Sequence, residues 1–196
     1  MYNYFFESDR FVIKDYATLP PFASFLPGMA GPKGIPMWAF YVNRGQAIAS
    51  FGVESKDSAV MEFQPANKAY QLTPFTGFRT FIKIHRADRG AADFYEPFSP
   101  LHHSTSQLAM HIAANELELL QELPEAGLQV SVLYFILPNE DLAGLVRQVT
   151  IENTSSQVIS GEWLDGLPIV VPYGMSDRLL KDMSRTAEAW MDVFNR

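Results

Sequence analysis

A series of short β-rich runs follows from residue 11 to residue 164 with no helical pattern between any two of them. They cover residues 11–16, 37–42, 46–53, 59–63, 69–72, 77–84, 107–113, 116–123, 128–137, 145–152 and 158–164. Parallel strands need crossovers of a dozen or more residues, usually helices, so a chain without them must pair its strands antiparallel. Such a series with short turns predicts a mainly β fold, a large two-sheet antiparallel β-sandwich.

The period of two is clearest in residues 128–137. Leu128, Val130, Val132, Tyr134 and Ile136 lie on one side, Leu133, Phe135 and Leu137 on the other, and Pro138 ends the run. Phe78, Thr80, Ile82 and Ile84 likewise alternate with Arg79, Phe81 and Lys83. In residues 37–42 both sides are apolar (Trp38, Phe40, Val42 against Met37, Ala39, Tyr41), which predicts a central strand covered on both faces. Asn43-Arg44-Gly45 is a three-residue hairpin connection with Gly in the left-handed position.

Residues 116–123 have helical propensity in their Leu and Glu content, but the alternation of Leu117 and Leu119 with Glu116 and Glu118 favours a strand. Residues 145–152 and 158–164 read as a hairpin around Asn153-Thr154-Ser155-Ser156, which makes Asn153-Thr154-Ser155 a turn rather than a glycosylation acceptor. Gln64-Pro65-Ala66-Asn67 reads as a turn, and the Pro- and Gly-dense residues 19–36 as an ordered wrapping loop.

The chain ends in an amphipathic helix beginning at Ser176, with Leu179, Leu180, Met183, Ala187, Trp190, Met191 and Phe194 on one stripe. Ser176 suits the N-cap and Asp177 the positive end of the helix dipole. Asp177–Lys181 and Arg178–Asp182 are four-residue ion pairs. The expected organisation is a β-sandwich over residues 1–174, then residues 175–196 as the start of a linker toward a catalytic domain outside this sequence.

Net charge is −7, with the acids spread along the chain and no basic stripe, which disfavours nucleic acid and anionic membranes as partners. With no cysteine, disulfides, thiol catalysis and cysteine-zinc sites are excluded. The first residues lack the basic and apolar regions of a signal peptide, and no apolar run approaches the ~18 residues of a membrane span. A cytoplasmic location is expected.

The histidines His85, His102, His103 and His111 are candidates for metal binding or proton transfer. Adjacent His102 and His103 point to opposite sides of an extended strand, and no metal-binding spacing occurs. Surface or hydrogen-bonded histidines are therefore expected, with no metal. Asp93 and Glu96 flank Phe94-Tyr95, and Glu162 and Asp165 surround Trp163-Leu164. A carboxylate beside an aromatic ring can hold a sugar, though solvated loop acids are the simpler reading. Residues 28–34 superficially resemble a phosphate loop, but Pro32 removes an amide donor, and no Lys-Ser/Thr pair and no helix follows. No Gly-x-Ser-x-Gly elbow is present. No catalytic residue is expected in this chain, and no binding residue is assigned.

Longer stretches resemble a known family. The run from Leu26-Pro27-Gly28-Met29-Ala30-Gly31 through Gly34-Ile35-Pro36-Met37-Trp38-Ala39-Phe40-Tyr41-Val42-Asn43-Arg44-Gly45-Gln46 resembles the front domain of glycoside hydrolase family 94. So do Ser50-Phe51-Gly52-Val53, Met61-Glu62-Phe63, Pro65-Ala66-Asn67-Lys68-Ala69-Tyr70 and Tyr95-Glu96-Pro97-Phe98. Leu164-Asp165-Gly166-Leu167-Pro168, Val171-Pro172-Tyr173-Gly174 and the helix around Met183-Ser184-Arg185-Thr186 complete the likeness, which covers nearly the whole chain. The family is that of the cellobiose-phosphorylase-like enzymes, and the resemblance is nearest to its 1,2-β-oligoglucan phosphorylase branch.

The resemblance implies a galactose-mutarotase-like supersandwich, a helical linker and an (α/α)6 barrel that carries the active site. It implies phosphorolysis of a β-glucoside with inversion to α-glucose 1-phosphate. Inorganic phosphate is then the co-substrate and there is no other cofactor. The implied partners are the chain's own catalytic domain, a β-glucan oligosaccharide and a second copy in a homodimer. The acid that protonates the leaving oxygen belongs to the barrel. Two other readings are a standalone carbohydrate-binding module and a self-contained sugar-processing enzyme using Asp93, Glu96 or His111.

Overall fold

A computed structural model describes residues 3–26, 29–30, 33–86, 91–100 and 107–183. In chain order the elements are β1 (Tyr4–Glu7), β2 (Arg10–Lys14), β3 (Ala23–Leu26), β4 (Met29–Ala30), β5 (Ile35–Val42), β6 (Ile48–Val53), β7 (Ala59–Met61) and α1 (Ala66–Thr76). Then follow β8 (Arg79–Arg86), β9 (Ala91–Tyr95), β10 (Leu108–Ile112), β11 (Glu116–Leu123), β12 (Leu128–Ile136), β13 (Leu145–Asn153), β14 (Ser160–Gly166) and α2 (Asp177–Met183).

Every strand pairing among the described residues is antiparallel, as the missing crossovers require. The protein is a mainly β sandwich. One sheet has the order β1-β2-β10-β11-β12-β13. Two smaller sheets stand beside it: β3-β5-β6-β7, with β4 also on β5, and β14-β8-β9. Side chains from all three meet in one core. Ile13, Met110, Leu117, Leu119, Val132 and Tyr134 come from the first, Met37, Ala39, Tyr41, Ile48 and Phe51 from the second, and Ile82 and Ile84 from the third.

The alternation read in residues 128–137 is the observed one, with Leu128, Val130, Val132, Tyr134 and Ile136 buried. In β11, Leu117 and Leu119 oppose Tyr134 and Val132 across the pairing, so burial on that face overrides the helical propensity of Glu and Leu. The two apolar sides of β5 are also explained. Met37, Ala39 and Tyr41 face the main core, while Phe40 and Val42 join Ala49, Ala69 and Tyr70 in a second cluster beneath α1.

Helix α1 corrects the expected strand at residues 69–72. The Pro65 carbonyl accepts the N–H groups of Lys68 and Ala69 at 2.8 and 2.9 Å and so opens a helix where a turn was read. Ala69, Thr73 and Pro74 are its buried positions, and Pro74 sits in the last turn. The short apolar run could be either element by periodicity; the uncovered Phe40–Val42 face of β5 decided for the helix.

Two further readings are corrected. Residues 19–36 contain β3 and β4, which pair with β5; the prolines at 20 and 21 lie before β3 and leave its ladder intact. The expected hairpin of residues 145–152 and 158–164 does not form, because β13 pairs with β12 and β14 with β8. The turn between them exists: Asn153 Oδ1 accepts the Ser155 N–H at 2.9 Å and Asn153 Nδ2 donates to the Gln157 carbonyl at 2.7 Å. It moves the chain from one sheet to another rather than reversing it within one.

The β5–β6 connection is a hub. Gly45 has φ +54°, and a Cβ there would lie 2.9 Å from Pro74 Cα, so glycine is required by conformation and by space. The buried hydroxyls of Tyr16 and Tyr134 donate to the carbonyls of Gly45 and Gln46 at 2.7 and 2.9 Å. Asn43, fully buried, accepts the Phe22 N–H at 2.9 Å and donates to the carbonyls of Tyr16 and Pro20 at 2.9 and 3.0 Å. Asn43→Ala strands these backbone groups and is expected to cost about 2 kcal/mol, measured by denaturant unfolding.

At the end of the described chain, Ser176 Oγ accepts the Leu179 N–H at 3.2 Å as the expected N-cap. Lys181–Asp177 and Arg178–Asp182 pair at 2.5 and 3.5 Å. The Asp177 N–H donates to Asp57 at 2.9 Å and ties the helix start to the turn after β6. No residue of α2 is buried; the stripe from Ala187 onward lies outside the described residues. Among the described residues no helix is long and apolar enough to cross a membrane.

Candidate functional site

Three of the four carboxylates singled out in the sequence sit on the sheet β14-β8-β9, and Glu96 follows it directly. In this sheet Glu162 stands opposite Lys83, which stands opposite Phe94; Asp165 opposes Thr80, and Asp93 opposes Ile84. Opposed residues share a face. Thr80, Ile82 and Ile84 are buried, so their row carries Asp165, Trp163, Tyr95 and Asp93 on the core side. The outer side carries Phe81, Lys83 and His85 with Glu162, Leu164 and Phe94.

Glu162, Glu96 and Asp165 are each held by a base. Glu162 accepts from Lys83 at 3.1 Å and His85 at 2.9 Å, and these hydrogen bonds, Lys83 first, lower its carboxyl below the usual value. Glu96 accepts from Arg79 Nε at 2.6 Å, and the same guanidinium lies 4.7 Å from the Phe81 ring centre.

Asp165 belongs to a polar network at the rim of the core. Arg147 grips both carboxylate oxygens, and Thr80 donates to Oδ1 at 2.6 Å. Burial is the largest influence on Asp165 and pushes its carboxyl up. The hydrogen bonds from Arg147 and Thr80, with the Arg147 charge, outweigh it and hold the group below the ordinary carboxylate value. Arg147 also donates to the Tyr134 hydroxyl at 3.2 Å and to Gln46, and lies 4.9 Å from the Phe78 ring centre. Gln46 completes the set with a 2.9 Å bond to Thr80. The sequence reading missed Arg147. One arginine in an alternating strand carries no sign that the fold will set it against Asp165, 18 residues on and in another sheet.

A general acid near neutral pH needs a raised carboxyl, and a base that takes a proton needs a free lone pair in reach of substrate. Glu162 and Asp165 are shifted the other way and are suited to accept hydrogen bonds. His111 is on the six-stranded sheet, its Nδ1 3.4 Å from Glu118, which also takes Arg10 at 2.5 Å. The fold therefore separates His111 from Asp93 and Glu96 instead of joining them. His102 and His103 lie outside the described residues. Among the described residues no three His, Asp or Glu side chains are placed to hold a metal ion.

What the sheet does present is bare apolar surface. All seven residues of β14 are exposed, with Trp163 at 70 % on one face and Leu164 at 71 % on the other. Among the described residues the strand pairs only with β8. Arg147 covers Asp165, but nothing among the described residues covers Trp163 two positions earlier. Val158 before the strand and Ile169, Val170 and Tyr173 after it in the chain are exposed as well. Exposed apolar side chains at a strand edge mark a contact surface. No protein-family model matches the chain, and no curated protein matches it.

Proposed function

We propose that this chain is a non-catalytic N-terminal β-sandwich of an inverting glycoside phosphorylase acting on β-glucan oligosaccharides in the cytoplasm. In that reading it supports the catalytic barrel and a homodimer and contributes no acid of its own to the reaction. The resemblance of its residues to the cellobiose-phosphorylase-like family supports the activity. The observation that carries the supporting role is β14, whose Trp163 and Leu164 stand exposed on its two faces. A catalytic domain packed there would bury Trp163 and Leu164.

The test is to express this chain joined to whatever its source reading frame encodes after Arg196, beside the 196-residue chain, and supply each with β-glucan oligosaccharides and inorganic phosphate. The longer protein should release α-glucose 1-phosphate and the short chain none. Activity in the short chain, or its absence from a folded longer protein, rejects the proposal. The alternative, a standalone carbohydrate-binding module, is favoured by the exposed Phe94 beside Tyr95 and Glu96.

A further inference from the structure

The end of β9 and the β11–β12 turn enclose a cleft of about 150 Å³ lined by Phe94, Tyr95, Glu96, Gln121, Pro124 and Glu125. That volume is about half the ~300 Å³ at which drug-sized sites begin, so it suits one ring of a larger ligand. Its groups are set before any ligand arrives. Arg79 fixes the Glu96 carboxylate at 2.6 Å. Gln121, 3 % exposed, accepts the Phe98 N–H through its amide oxygen, which orients the amide plane. Phe94, 72 % exposed, offers a ring beside these polar groups.

Charge narrows the ligand. Two carboxylates at the cleft repel an anion. A cation already sits at the Glu96 end, because the Arg79 guanidinium neutralises that carboxylate and covers the Phe81 ring. The cleft thus joins an aromatic face to two carboxylates, each with lone pairs enough for more than one donor, the complement of a ring with an apolar face and a rim of hydroxyls.

We propose that this cleft binds one hexopyranose residue of a neutral oligosaccharide, its apolar face on Phe94 and its hydroxyls donating to Glu96 and Glu125. The site is separate from Trp163, which does not line the cleft and lies on the other side of the sheet from Phe94. Only the choice of glucose-built probes rests on the phosphorylase reading.

The experiment is an NMR titration of the 196-residue chain with β-linked gluco-oligosaccharides and, in parallel, β-linked galacto-oligosaccharides. Saturable shifts confined to residues 94–96 and 121–125 are expected with at least one series. Phe94→Ala, at a position exposed enough to leave the thermal midpoint unchanged, should weaken binding about tenfold. Trp163→Ala should leave it unchanged. Saturation by the galactose series alone supports the cleft as a sugar site while counting against glucan as the natural ligand. The proposal is overturned if neither series saturates, if Phe94→Ala binds as the unaltered chain does, or if tetramethylammonium binds the cleft as tightly as the sugars do.

Discussion

Arg147→Met should lower the unfolding free energy by about 4 kcal/mol, the largest single-residue loss among the substitutions considered for this sandwich. The side chain is 9 % exposed and serves Asp165, Tyr134 and Gln46 at once. Methionine fills similar volume but leaves a carboxylate, a hydroxyl and an amide oxygen at the rim of the core without their donor. Gln46 is 2 % exposed, so its amide oxygen left without a donor costs up to about 3 kcal/mol, and the loss of the exposed Asp165 pair adds about 1 kcal/mol. A thermal midpoint about 8–16 °C lower would register it for a chain of this length. A shift within ~2 °C would mean that water replaces the guanidinium and that the network is not structural.

The partner substitution gives a pH signature. The Asp165 carboxyl is lower folded than unfolded, so its contribution to stability is present above the unfolded value near 3.8 and is lost as pH falls through the folded value. The stability difference between the unaltered chain and Asp165→Asn should therefore be constant above about pH 5 and shrink as pH drops below about 4. Denaturant titrations at a series of pH values measure it. A difference that instead grew toward low pH would contradict the depressed carboxyl.

The second large effect concerns association rather than folding. Trp163→Ala combined with Leu164→Ser should weaken self-association of the chain by at least about a hundredfold while changing its own stability by no more than about 0.5 kcal/mol. Both side chains are some 70 % exposed, so the fold gains little from them. Covering them in a contact is worth about 1.5–3 kcal/mol each. Sedimentation over a concentration series reads this directly: the unaltered chain should gain mass with concentration and the double variant should not. An unaltered chain that stays monomeric at every concentration would remove β14 as the surface that meets a second copy of the chain.

Much of the sandwich was legible because burial on a sheet face has a period of two. Leu128 to Ile136, Thr80 to Ile84 and the Leu117–Leu119 pair write their own inner faces into the sequence, and so does the two-sided apolar strand around Phe40. The Gly45 turn was legible because a left-handed conformation beside Pro74 admits little else. The Ser176 cap and the two ion pairs of α2 were legible because they are local, within four residues.

The misreadings share a cause. Residues 69–72 form a helix, and β14 leaves β13 for β8, because distant surfaces compete for these segments: the open face of β5 for one, the free edge of β8 for the other. Local propensity cannot rank such competitors. The same holds for the candidate site. The acids beside aromatics at residues 93–96 and 162–165 could be picked out by residue type alone, but not that Arg147, Lys83 and Arg79 would hold them. The sequence by itself determined the antiparallel pairing of strands joined by short turns, since such turns leave no room for a parallel crossover. Only the tertiary structure decided which sheet each strand joined and which apolar side chains stayed bare, because pairing and covering are set between segments far apart in the chain.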